Sequence, residues 1–337
     1  MTRSALETPM MRHFLSVKAQ HPDAIVFYRM GDFYEMFLRD AEIAAPLLEI
    51  ALTTRDKAKQ DPVPMCGIPV HSAEAYIQQL ARLGHRVAIC EQVEDPKTAG
   101  GKRLVKREVV EVVTPGLVGD PEGIEARREL SLAALLPGDS PGLAVLEAST
   151  GDLRAVAVEG AGLATLPPAL EQELARIGPQ ELLLPEACDP ALAKRLAEFL
   201  PGVALTRVAA GNFDAAKAPV HPDGLVSGAG DPASRAAAAL LIYTGENQPF
   251  ALGQISRLRR YSLSDTMVLD AASAAHLELF RNTEDGSRQR TLVDRIDRAC
   301  TPLGSRRIAR WLAYPLLEPA EIAARQEIGR ASCRERV

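Results

Sequence analysis

The 337-residue sequence has no apolar run long enough to cross a bilayer, which takes roughly 20 residues in a helix. Its first residues, MTRSALETPMMRHF, contain no apolar stretch of the kind that forms a secretory signal core. The cytoplasm is therefore the expected compartment. Cysteine is scarce: Cys66, Cys90, Cys188, Cys300 and Cys333 lie far apart, no pair has metal-ligand spacing, and the odd number speaks against a disulfide framework. They read as ordinary thiols, and no catalytic or metal-ligating set is assigned. There is no G-x-x-x-x-G-K-[ST] stretch, so the loop with which a P-loop ATPase cradles phosphates is missing and no enzyme activity is expected. Excess positive charge is absent as well. The formal net charge is −5, which argues against a uniformly basic nucleic-acid binder. Phosphate contacts need local patches rather than a basic average, and two are present. Lys97, Lys102, Arg103, Lys106 and Arg107 have no acid among them, and the segment from Arg281 to Arg310 is rich in arginine. Either can equally be a solvated face. Internal repeats and low-complexity tracts are also lacking.

What is present is an ordinary globular composition, 47% hydrophobic and 25% charged, in a chain long enough for two or three domains. In the first block, to about residue 118, Thr8 and Pro9 open a helix that His21-Pro22-Asp23 breaks. Ala24 to Arg29 reads as a strand, Met30-Gly31-Asp32 as a tight turn and Phe33 to Phe37 as a second strand. Helices are expected over Asp40 to Ala51 and from Ser72 to Gly84, then strands over Arg86 to Val93 and Glu108 to Val113. The alternation makes this block α/β or α+β. A second block brings strands at Leu132 to Leu136, Gly142 to Glu147 and Leu153 to Val158, then helices near Pro168 to Ile177 and Pro190 to Phe199 around a strand at Glu181 to Leu184, and an Ala-rich helix over Pro232 to Tyr243. A third block begins near Gly245, with a β-like stretch at Tyr261 to Leu269, a helix capped by Asp270 and running through Leu279, and helices at Leu292 to Arg298, Pro302 to Leu312 and Pro319 to Gln326. Residues 327–337 show no apolar periodicity, and Ile328 to Val337 back-translates to read-through of a common sequencing adapter. The expectation is that this tail is not native and that the reading frame runs off a DNA fragment.

The most informative stretch is FYRMGDFYEMF, Phe27 to Phe37. In a strand, Phe33, Glu35 and Phe37 share one face. Aromatic residues in strands are usually core. A carboxylate between two phenylalanines on a sealed face would need a partner, because burying an unpaired charge is costly. The face is more comfortable if its end meets solvent or a ligand.

This stretch resembles the mismatch-binding hairpin of the MutS family of DNA mismatch-sensing proteins, whose Phe-x-Glu motif matches Phe33 and Glu35. The likeness continues in Thr8-Pro9-Met10-Met11, Lys18 to Pro22, Gly67-Ile68-Pro69 with His71, Val87 to Gln92, Val113 to Gly116, and Thr301 to Arg306 with Arg310-Trp311-Leu312. It implies a multidomain chain. Residues 1–118 are then an α/β mismatch-binding domain and 119–124 a linker. Residues 125–244 are a ribonuclease-H-like α/β connector domain, and 245–326 are the start of an all-helical core, or lever, domain.

The resemblance also implies the function: recognition of base mismatches and small insertion/deletion loops in duplex DNA, initiating mismatch repair. The phenylalanine acts as a wedge in the minor groove, and unstacking a base step costs a few kcal/mol. A mispaired base is already poorly stacked, so deformability rather than sequence is read. Glu35 would hydrogen-bond the displaced base. The negative potential of the groove raises a carboxyl pKa, so Glu35 is expected to carry or share a proton there. Met30, Gly31, Arg55, His71 and Arg107 match further DNA-contacting positions. Implied partners are mismatched duplex DNA, a MutL-type protein at the connector and, in the full-length family, a second copy of the chain; the fragment itself is expected to be monomeric and cytoplasmic, associated with the nucleoid. ATP and Mg²⁺ belong to the family's downstream ATPase. Without that region and the DNA clamp, binding should be weak and salt-sensitive. Two rivals are a metal-dependent nuclease on the second block, where Glu147 and Asp152 are the available acids on solvent-facing positions, and a protein-interaction module in which Phe33 is merely core.

Overall fold

The computed structural model describes residues 8–55, 62–94, 105–118, 130–160, 165–219 and 230–334. The chain divides into two compact units, Met1–Gly119 with Leu241–Ile255, and Asp120–Leu240 with Ser256–Val337.

The first unit is built on a six-stranded sheet in the order β3-β4-β2-β1-β5-β6. Helix α1 (Pro9–Gln20) starts where expected: the Thr8 hydroxyl accepts from the Met11 N–H at 3.3 Å, and Pro9 occupies the first turn, where it forfeits no hydrogen bond. Strands β1 (Ala24–Met30) and β2 (Phe33–Phe37) form an antiparallel hairpin, with Tyr28 opposite Glu35 and Met30 opposite Phe33. Helix α2 runs over Leu38–Leu47, shorter than the expected Asp40 to Ala51. Its Asp40 carboxylate is buried, accepts from the Val26 N–H at 2.9 Å and pairs with Lys18 at 2.7 Å. Such a partnered charge is tolerated where a lone one would not be.

Strands β3 (Thr53–Arg55) and β4 (Val63–Pro69) follow, and neither was expected from sequence. Pro64, Gly67 and Pro69 read as punctuation, yet β4 lies inside the sheet between β3 and β2. Ser72 precedes helix α3 (Ala73–Arg82) without capping it, its hydroxyl donating instead to the Pro69 carbonyl at 3.1 Å. Strand β5 (Arg86–Gln92) runs parallel to β1, and β6 (Arg107–Val113) closes the edge antiparallel to β5. One face of the sheet buries Val26, Tyr28, Phe37, Ala88 and Cys90 under Met10, Met11, Phe14 and Val17 of α1. The segment from Leu241 is fastened to this unit by Arg86 donating to Asn247 at 2.9 Å and Gln248 donating to Glu111 at 2.8 Å.

The second unit carries its own sheet, ordered β11-β10-β7-β8-β9-β12. Strands β7 (Leu132–Leu136), β8 (Gly142–Glu147) and β9 (Asp152–Ala157) form an antiparallel meander; β10 (Glu181–Pro185) adds parallel to β7, and β11 (Ala204–Val208) parallel to β10. Helices α4 (Pro168–Ile177) and α5 (Pro190–Phe199) contribute Leu170, Leu174, Leu192 and Leu196 to its core. The helices α6 (Pro232–Asn247) and α7 (Pro249–Leu252) follow.

Here the structure departs from the three-block reading. Residues from Ser256 onward pack in the same unit as this sheet. The reason is β12 (Arg257–Arg260), which joins β9 in parallel, where the sequence had suggested a strand at Tyr261 to Leu269 instead. Of that stretch only Thr266 makes a bridge, to Leu316. Helix α8 (Ala271–His276) is capped by Asp270, as expected, but stops short of Leu279. Helices α9 (Leu292–Ile296) and α10 (Pro302–Ala313) follow, then α11 (Pro319–Arg334), which continues past Gln326 into the adapter-like tail, whose side chains from Ile328 lie outside the described residues.

Glu147 does not face solvent, correcting the sequence reading, and Asp152, though partly exposed, is ion-paired rather than simply solvated. Glu147 is buried and ion-paired with Arg306, and Asp152 accepts from Arg310 at 2.6 Å and lies 3.4 Å from Arg259. Both carboxylates are held by arginines one helical turn apart on α10.

Candidate nucleic-acid interface

The hairpin β1–β2 has one face with two fates. At one end Phe37 is fully buried, its ring edge-on to Phe14 at 5.1 Å. Four residues earlier on the same face, Phe33 is 47% exposed. Helix α1 covers the Phe37 end and leaves the Phe33 end open, because its apolar residues Met10, Met11, Phe14 and Val17 are used up over Phe37, Tyr28 and the strand starts. Phe33 is therefore not core, which removes the reading of this chain as an interaction module with a buried Phe33.

The tip is shaped by Gly31, whose φ of +62° is left-handed and suits glycine. Met30, half-buried, stands directly across from Phe33. On the other side, Phe33 pairs with Pro69, and the Val70 N–H donates to the Asp32 carbonyl at 2.9 Å. This brings the one-turn 3-10 helix Val70–Ser72, with an exposed His71, against the tip. Glu35 is half-buried and sits between Tyr28 on β1 and Gly67 on β4. The structure thus gathers Phe33, Glu35, Met30, Gly31 and His71 at one end of the sheet.

Arg107 has a different place from the one expected. It is buried, at 7% exposure, and its guanidinium donates to the carbonyls of Arg29 and Val105, both at 2.8 Å, and lies 3.6 Å from the Met30 sulfur. It also sits 5.2 Å from the centre of the Tyr28 ring. A cation spent on backbone carbonyls braces the hairpin rather than standing free for a phosphate. Arg55 ends β3, but its side chain lies outside the described residues, as do Lys97, Lys102 and Arg103 of the basic stretch and the linker 119–124.

Sequence reasoning missed the brace on the opposite face. Arg29 donates to the Gly31 carbonyl at 2.5 Å, lies 3.3 Å from Glu91 and covers the Tyr34 ring at 5.6 Å. The Tyr34 hydroxyl donates to the same Glu91 carboxylate. Burial, reinforced by that carboxylate, pushes the Tyr34 hydroxyl up to about 12, so it remains a donor. Tyr28 is likewise pushed to about 12 by burial against the opposing pull of Arg107, and its hydroxyl meets His13 Nδ1 at 3.0 Å. Burial and then the Arg107 charge lower the His13 pKa, so this ring adds no positive charge at neutral pH. Nothing in the order of residues announces these pairs; only the parallel placement of β5 beside β1 brings Glu91 and Arg107 to the hairpin.

Chemically, the tip offers a ring for stacking, a thioether that adapts to its neighbour and a carboxylate that accepts hydrogen bonds. Among the described residues no group of three His, Cys, Asp or Glu side chains could hold a metal ion.

The family profile for MutS domain I matches residues 8–122, and that for MutS domain III matches residues 272–333, running into the adapter-like tail. A DNA mismatch repair protein MutS of Syntrophobacter fumaroxidans is 42% identical over 332 residues, covering 95% of this chain. The chain belongs to the MutS family. MutS proteins of Anaeromyxobacter dehalogenans (strain 2CP-C) and Myxococcus xanthus are 43% and 41% identical, each over 94% of this chain. The chain spans only 36% of the length of these MutS relatives, matching their N-terminal portion. The exposed hairpin and both of its braces lie within the domain I match.

Proposed function

We propose that this chain recognises mispaired bases and small loops in duplex DNA through the β1–β2 tip. Phe33 enters as the wedge, and Glu35 accepts a hydrogen bond from, or shares a proton with, the displaced base. The observation that carries this is the half-exposed Phe33 at the open end of a face whose other end is sealed by α1. Met30, Gly31 and His71 flank the entering duplex, and Arg55 is a further contact; Arg107 and Arg29 hold the tip in place from opposite faces. A rigid tip concentrates the cost of unstacking on the DNA, and that cost is lowest where the bases are already loosened.

In the second unit, the antiparallel meander with parallel strands added beside β7 supports a ribonuclease-H-like connector, and the helices from α8 onward support the beginning of the family's lever. The nuclease rival loses its carboxylates to Arg306 and Arg310. A MutL-type partner at the connector, assembly with a second copy and association with the nucleoid are proposed on family grounds. ATP and Mg²⁺ serve the family's P-loop, a motif that these 337 residues do not contain.

The test is a titration of matched and mismatched duplexes with the wild type, Phe33→Ala and Glu35→Gln at low salt. Phe33→Ala should lose mismatch preference while keeping its fold. Glu35→Gln should keep mismatch binding and strengthen matched-duplex binding. Abolition of mismatch binding by a folded Glu35→Gln would exclude proton sharing, and an unchanged preference in Phe33→Ala would exclude the wedge.

A further inference from the structure

Gly67 lies in β4 directly opposite Glu35, and residues paired across an antiparallel ladder project to the same face. Glycine weakens a strand, so its presence inside one asks for a reason. Conformation is not the reason, because Gly67 is absent from the left-handed glycines among the described residues. Burial is not the reason either, since Gly67 is exposed. A methyl group placed on it would meet the Tyr34 carbonyl oxygen at 3.3 Å, Glu35 Cγ at 3.7 Å and Phe33 Cδ1 at 3.9 Å. The first contact is tight and asks for a shift of a few tenths of an ångström; the other two are ordinary van der Waals distances. A methyl group fits here once the Tyr34 carbonyl, a main-chain atom of the paired strand β2, gives by that amount. What a side chain would take away is the open floor between Phe33 and Glu35.

We infer that Gly67 is a specificity-determining residue: its missing side chain leaves the space in which a displaced base lies flat against the sheet, within reach of Glu35 while Phe33 fills the gap in the stack. This rests on the reading of the hairpin as the mismatch-binding tip. Filling that space by one carbon, then by three, should progressively exclude the base. A single misplaced methylene in a fitted pocket changes discrimination by about tenfold or more.

The experiment uses the full chain with Gly67→Ala, Gly67→Val and Phe33→Ala, each titrated with a matched duplex and the same duplex carrying one mismatch, followed by fluorescence anisotropy at low salt, with thermal melting as the control for folding. The expected result is a cooperatively melting, folded Gly67→Ala, unchanged matched-duplex affinity, and a mismatch-to-match ratio reduced by about tenfold, more in the valine variant. If both Gly67 variants keep the wild-type ratio while Phe33→Ala loses it, the role of Gly67 is refuted and the tip itself stands. If Phe33→Ala keeps the ratio, the reading of the tip fails and this inference with it. If Gly67→Ala does not fold, the glycine serves the strand, and the inference is overturned.

Discussion

Phe33 and Phe37 share one strand face but should respond oppositely to truncation. Phe37 is fully buried, edge-on to Phe14 at 5.1 Å and tilted against Tyr28 at 6.4 Å. Its replacement by alanine removes the transfer energy of the ring and leaves a cavity enclosed by α1 and the sheet, for a loss of about 3–5 kcal/mol. Phe33 is 47% exposed, so close to half of a full burial is at stake; full burial of a phenylalanine is worth about 1.5–3 kcal/mol, and no closed cavity forms. Phe33→Ala should therefore cost about 0.8–1.5 kcal/mol. Native-state amide exchange of β1, β2 and β5 reads this within the first unit, independently of the second. Phe37→Ala should speed exchange across all three strands, and Phe33→Ala should affect only the tip. Equal destabilisation by the two substitutions would mean that the ring of Phe33 is packed in solution, and the distinction between anchor and wedge would be lost.

Other outcomes follow from the same geometry. Arg107→Leu strips the donors from the Arg29 and Val105 carbonyls and should destabilise the hairpin by about 2 kcal/mol or more, seen as faster exchange at Met30 to Phe33; unchanged exchange would deny the brace. Gly31→Ala forces a side chain into a left-handed φ of +62° and should cost about 1–2 kcal/mol, with Gly31→Asn milder because the short polar side chain of asparagine tolerates that region; equal melting temperatures for the three proteins would contradict this. Burial raises the Asp152 pKa, but the Arg310 charge and hydrogen bond, followed by Arg259 and Arg154, outweigh it and hold the carboxyl below its ordinary value. A depressed folded-state pKa gives stability that is present above the unfolded value, near pH 4, and is lost as pH falls through the folded value. Unfolding of the second unit, followed through its one tryptophan, Trp311, should show that acid dependence in the wild type and less of it in Arg310→Gln; the same acid slope in both would refute the pairing.

Local signals made much of the first unit legible. Thr8 with Pro9, and the Met30-Gly31-Asp32 turn between two apolar strands, are features whose physics is contained in a few neighbouring residues. Glu35 between Phe33 and Phe37 correctly indicated that this face could not be sealed along its whole length. What escaped the sequence was set by partners far along the chain. Strand β4 was hidden because Pro64, Gly67 and Pro69 look like loop residues, and only its place between β3 and β2 makes it a strand. Arg107 next to Lys106 resembles a surface cation until β6 pairs with β5 and directs it beneath Met30. Glu147 and Asp152 were read as solvated because Arg306 and Arg310 lie more than 150 positions away. Strand β12, with the sequence RLRR, has no apolar alternation and is recruited by the open edge of β9.

The most direct test of the wedge is optical. A duplex carrying 2-aminopurine next to a single mismatch brightens when that base loses its stacking partner. Saturating amounts of the wild-type chain should raise its fluorescence at the mismatch and leave a matched duplex unchanged, while Phe33→Ala, still folded, should produce no rise. Brightening of equal size with Phe33→Ala would contradict the account, because the unstacking would then be the work of some other group.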